Sequence, residues 1–196
     1  MDTEDVAGAR GSSRRTNALI RLTQRLESAR VIDRVDPLPM RAARALLASP
    51  GRRELLQGQW IGHALHPLLT DLPLGSWTSM SILDLTGGRD GRRSAERLLV
   101  VGLLSAAPTA LTGLAEWGET SGGDRRVGFL HAAGNVAALG LYGSSYAARR
   151  RGRHTLGVNL GLAGAATVAV AGYLGSHLSL GRKVASRHPA LQEPGA

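Results

Sequence analysis

The sequence predicts an all-α protein, a four-helix transmembrane bundle preceded by short amphipathic helices. Three observations carry that reading. Four apolar segments, near 66–86, 96–116, 127–148 and 155–179, each have the ~20 residues that a bilayer requires. Arginine-rich connections separate them. The segments are also rich in close glycines, such as Gly140/Gly143, Gly157/Gly161 and Gly172/Gly175, which let helix backbones approach where lipid removes the hydrophobic drive for association.

The chain divides into a leader with amphipathic interfacial helices (1–57), a membrane domain (58–182) and a polar tail (183–196). Residues 1–16 are small, polar and charged, with too little apolar surface to bury a core. They also lack the apolar centre of a signal peptide, so the internal segments must drive insertion. From Asn17 to Arg30, Leu19, Ile20, Leu22 and Leu26 recur at helical spacing between Arg21, Arg25 and Arg30, the pattern of an amphipathic helix at the membrane interface. Asp36-Pro37-Leu38-Pro39 is expected to break it. A second helix follows from Met40 to Ala48, and Pro50-Gly51 is expected to end it.

Of the four spans, the second is free of charge over Leu98–Ala115, and the fourth carries only His177. Pro108 should kink the second, with Thr109 and Thr112 at hand for the freed backbone groups. The first and third are more polar, so their His, Asp, Asn and Ser groups should face the bundle interior.

The formal net charge is +9, but the basic residues flank apolar runs and form no soluble recognition motif, so no nucleic-acid partner is expected. Cysteine is absent. That excludes disulfides, thiolate zinc sites, iron–sulfur clusters and covalently attached haem within this chain.

Up-down topology gathers His63, His66, Asp71, Glu116, His131 and His177 at one face. Two readings are open. In the first, the layer is a ligand site: haem b through two axial imidazoles, His131 with His66 or His177, or a divalent metal held by His63, His66, His131, His177, Asp71 and Glu116. In the second, it is a hydrogen-bonded rim that fixes helix register, with Asp71 paired to His66 and Glu116 to Arg125 or Arg126. Asp84 closes the first span at the end where the helix dipole disfavours an anion, so Arg93 or Arg97 is its expected partner. His154 and His188 are expected to be solvated.

Two stretches, Gly62-His63-Ala64-Leu65-His66-Pro67-Leu68-Leu69-Thr70-Asp71-Leu72-Pro73-Leu74-Gly75 and Pro108-Thr109-Ala110-Leu111-Thr112-Gly113, are joined by His131 to Asn135 and Gly172 to Leu178. Together they resemble a bacterial integral-membrane family of unknown function, often fused to a C-terminal Rieske domain. The resemblance covers about residues 40–182 and implies four spans and redox chemistry on the face that holds the termini. Ser176 stands where the family usually has glycine, and without cysteine the chain holds no Rieske cluster of its own.

The functional expectation is a membrane electron-transfer subunit in a bacterial plasma membrane, multi-pass, with cytoplasmic termini. Its partners are the lipid bilayer and a quinone or a separate Rieske or ferredoxin-like protein, with a homo-oligomer left open. The alternative is a cofactor-free scaffold that docks a partner through the N-terminal segment. Proton-coupled or metal-ion transport fits less well, because no charged path leads to the far side.

Overall fold

A computed structural model describes residues 17–184, and among them every regular element is helical. The leader 1–16 and the segment from 185 onward, with His188, lie outside the described residues.

Helix α1 (Ala18–Ser28) is capped by Asn17, whose side-chain oxygen accepts from the Leu19 N–H at 3.0 Å. A tight 3-10 turn, Arg30–Arg34, leads to α2 (Pro37–Leu46) and α3 (Pro50–Leu56). The breaks expected at Pro37 and Pro50 are present, since α1 ends at Ser28 and α2 at Leu46, and each proline also opens the helix that follows. At a first helical position a proline lacks only an N–H that would have no intrahelical partner. A turn over Gln59–Ile61 then redirects the chain, between Gly58 and Gly62 at φ 68° and 74°. Glycine is required at 58, since an added Cβ would lie 2.3 Å from the His63 carbonyl oxygen.

The bundle comprises α4 (Leu65–Thr86), α5 (Arg92–Trp117), α6 (Gly122–Arg150) and α7 (His154–Ser176), the last extended by a π-turn over His177–Gly181. Helices α4/α5 and α6/α7 form two closely packed hairpins, and α5/α6 and α4/α7 contacts close the bundle. Trp77, Met80, Leu99, Ala138 and Tyr142 fill the centre. Leu68, Leu104, Val136 and Val170 are each more than 60% exposed, an outward apolar belt suited to lipid.

Of the four expected spans, α5 and α7 with its π-turn are long and apolar enough to cross a membrane. Helices α4 and α6 fall short because they carry the polar groups of the bundle, several of which, Ser76, Ser145 and Arg149 among them, are buried. Pro73 inside α4 offers no N–H to the Leu69 carbonyl, and the Thr109 hydroxyl of α5 donates to it at 3.1 Å. Thr109 thus compensates the proline of the neighbouring helix. Thr112 remains local, donating to the carbonyls of Pro108 and Thr109.

The N-terminal elements form a cap over the ends of α5 and α6. Arg126 grips Asp33 with two parallel bonds of 2.9 and 2.7 Å and donates to the Glu27 carbonyl. Arg125 Nε lies 2.7 Å from Asp36 Oδ2, a charge contact without hydrogen-bond alignment. Arg126, then Arg125, hold the Asp33 carboxyl below its ordinary pKa of 3.8. A depressed carboxyl stabilises docking fully above its ordinary pKa and loses that contribution as pH falls through the lower native value. Asp33→Asn should therefore accelerate tryptic cleavage at Arg30 and Arg34 at neutral pH, and an unchanged rate would show that the ion pair does not hold the cap.

Candidate functional site

His66 is the second residue of α4, and Pro67 behind it fits the first turn, where a missing N–H is harmless. Its Nδ1 lies 2.9 Å from the Thr109 carbonyl of α5. The ring rests on Gly113, where an added Cβ would come within 2.7 Å of Cε1. His131 repeats this arrangement in the other hairpin. Its Nδ1 lies 2.7 Å from the Ala171 carbonyl of α7, and its ring rests on Gly175, where a Cβ would come within 2.8 Å. A carbonyl only accepts, so each Nδ1 carries the proton and each Nε2 keeps a lone pair.

The two rings lie edge to face across the bundle, 6.3 Å between centroids and 84° between planes. Asn135, one turn beyond His131, places Nδ2 3.1 Å from His131 Nε2 and 3.0 Å from the His131 carbonyl. The matching residue of α4 is Thr70, whose hydroxyl donates only to the His66 carbonyl. The two imidazoles therefore differ in that the His131 ring has the Asn135 amide over its face, 3.5 Å from Nδ1 as well as 3.1 Å from Nε2.

The remaining predicted ligands go elsewhere. His177 is drawn to the cap, where Nε2 donates to Glu27 at 2.7 Å. His63 is exposed in the loop before α4. Asp71 is exposed and does not pair with His66, because five residues turn a helix by about 140° and put it on another face. Glu116 is buried near the end of α5, and its expected partners Arg125 and Arg126 are engaged by Asp36 and Asp33. Among the described residues no three His, Asp or Glu groups converge as a metal-ion set, so the expected six-residue layer reduces to the His66–His131 pair.

Asp84 takes Arg149 as its partner in place of Arg93 or Arg97, through bonds of 2.8 and 2.5 Å, with both side chains almost fully buried. Ser145 accepts from Arg149 Nε and donates to the Gly157 carbonyl, which steadies the guanidinium against α7. His154, expected to be solvated, is half-buried at the start of α7.

These pairs follow one plan. His66, Trp77, Met80 and Asp84 along α4 have the same intervals as His131, Tyr142, Ser145 and Arg149 along α6. Gly102, Thr109 and Gly113 along α5 answer likewise to Gly164, Ala171 and Gly175 along α7. Trp77 stacks on Tyr142 at 4.1 Å between centroids, each ring seated on its own hairpin's glycine, Gly102 or Gly164. Like positions thus meet across the centre of the bundle, as a two-fold axis along it would bring them. The matched intervals were present in the sequence, and they pick out Gly113 and Gly175 as the seats of the two rings.

Fold and site together define a helical membrane protein with two imidazoles paired between its hairpins, near the end where α4 begins. A family model described as "Predicted membrane protein (DUF2231)" matches residues 62–192, and the chain belongs to that family. Comparison with curated proteins and with solved structures finds no match.

Proposed function

We propose that the protein is a membrane electron-transfer subunit that holds one metal centre, haem b or a single metal ion, between His66 and His131. The observation that carries this reading is the imidazole pair with both Nδ1 atoms anchored to backbone carbonyls, the arrangement that fixes tautomer and orientation in metal-ligating histidines. The rings lie 6.3 Å apart between centroids and edge to face, so holding one metal would require them to turn until both Nε2 atoms face it.

Haem b, when bound, supplies one-electron chemistry. The residues of this chain do the rest. The Thr109 and Ala171 carbonyls orient the rings, and Gly113 and Gly175 leave room for them. The Asn135 amide packs on the face of the His131 ring, near both of its nitrogens, and leaves the in-plane lone pair of Nε2 free, so Asn135→Ala should weaken metal binding by loosening the ring. Unchanged binding in that variant would mean that the amide plays no part in holding the ring. Electrons would pass to a quinone or to a separate Rieske or ferredoxin-like protein. Exposed arginines lie at both ends of the bundle, in the cap and in the two loops of the opposite end, so charge does not set the topology. The cap side is proposed to be cytoplasmic in a bacterial plasma membrane because exporting the arginine-rich N-terminal segment is harder than keeping it inside.

The test is a variant series purified from native membranes. His66→Ala and His131→Ala should each abolish the bound metal or chromophore, whereas His177→Ala and His63→Ala should retain it. Retention in both of the first two would overturn the assignment. A second reading is a cofactor-free scaffold, in which the paired rings, each held by a backbone carbonyl of its own hairpin, fix helix register, and a wild-type protein free of metal would favour it.

A further inference from the structure

The N-terminal cap sorts its charges by direction. It holds four carboxylates, Glu27, Asp33, Asp36 and Glu54. Three of them turn inward onto the bundle: Asp33 to Arg125 and Arg126, Asp36 to Arg125, and Glu27 to His177. The arginines do the opposite. Arg25, Arg30, Arg34, Arg41 and Arg44 are all exposed.

Apolar side chains share that outer surface. Leu22 is 50%, Val31 65%, Val35 60% and Leu38 76% exposed, although Thr23, Ile32, Met40 and Ala43 of the same elements are buried against the bundle. An apolar fringe beside exposed arginines does not suit water on every side. It does suit the boundary between acyl chains and headgroups, where the apolar groups enter the lipid and the guanidinium groups meet phosphate. The cap occupies the right level, since it packs on the last turn of α5 and the first turn of α6, where those helices leave the apolar layer.

We propose that the outer face of the cap is a binding surface for anionic lipid headgroups, lying in the interface of the leaflet on the terminal side. Neutral lipid offers the apolar half of this match and leaves the arginines without counter-charge. Anionic lipid meets both, at roughly a fivefold gain in partition for each arginine near the surface. Inward use of the carboxylates raises the selectivity, because it removes from the outer face the groups that would repel phosphate.

The chain has no cysteine, so Leu38→Cys in the full-length protein takes a single environment-sensitive fluorophore. The labelled protein is placed in nanodiscs of phosphatidylcholine alone and of phosphatidylcholine mixed with phosphatidylglycerol. The expected result is blue-shifted emission in the mixed bilayer, weaker in the neutral one and reduced by salt. Arg25→Gln, Arg41→Gln and Arg44→Gln together should reduce the embedded fraction in the mixed bilayer severalfold, and none of the three belongs to the ion pairs that dock the cap. Equal emission in the two bilayers, or no effect of the arginine changes, would overturn the anionic preference. Water-like emission in both bilayers would overturn the lipid surface itself and point to a protein cover.

Discussion

Asp84→Ala is expected to destabilise the bundle by about 3–5 kcal/mol, because it strands the Arg149 guanidinium in the core. The guanidinium has 2% and the carboxylate 1% of its surface exposed, so water can replace neither partner. Ser145 still accepts one bond from Arg149, but a hydroxyl carries no countercharge. Removing both charges together is a different experiment. The double variant Asp84→Leu/Arg149→Leu replaces a costly desolvated pair by apolar packing and should be far closer to wild type than either single change. Chemical unfolding in detergent micelles measures both. A single-variant loss of only about 0–1 kcal/mol, as for an exposed pair, would show that water reaches this end of the bundle.

Gly102→Ala is expected to cost about 1–3 kcal/mol through forced repacking. The added methyl would fall 2.2 Å from Trp77 Nε1, and the indole cannot retreat because it is stacked on Tyr142 at 4.1 Å. Gly164→Ala, against the Tyr142 ring at 2.9 Å, should cost less. Gly113→Ala and Gly175→Ala strike the imidazoles instead, so their main effect should be on metal binding. A methyl at 113 strikes the His66 ring first, and that clash is gone when His66 is itself alanine, so Gly113→Ala should lower stability less in a His66→Ala background. Equal costs in both backgrounds would mean that the glycine serves helix packing alone. Differential unfolding combined with metal titration separates the two outcomes.

Helix positions were legible in the sequence because apolar run length and arginine punctuation record them directly. The first apolar run became α4 to within one residue, and the second and fourth became α5 and α7 to within four. The prolines at 37 and 50 marked the breaks between helices, and because a missing N–H does no harm at a helix start, each also opens the next one. Partner choice was harder to read. Asp84 was expected to take the arginines nearest in sequence, yet Arg149 reaches it from the opposite hairpin, in a burial that only tertiary packing creates. His66 and His131 were recognisable as ionisable groups inside apolar helices. The loss of Asp71, Glu116 and His177 from their company required the rotation of each helix and the docking of the cap, and hydropathy records neither. A cue was present and unused: the matched intervals of the two hairpins pair His66 with His131 and leave His177 without a counterpart.

The paired-imidazole centre is tested most directly by low-temperature electron paramagnetic resonance with parallel metal analysis, on oxidised protein purified from its native membranes. The predicted result is one metal per chain with a signal of two-imidazole ligation, lost in both His66→Ala and His131→Ala and unchanged in His177→Ala. A well-folded protein that carries no metal, or one whose signal survives both substitutions, would contradict it.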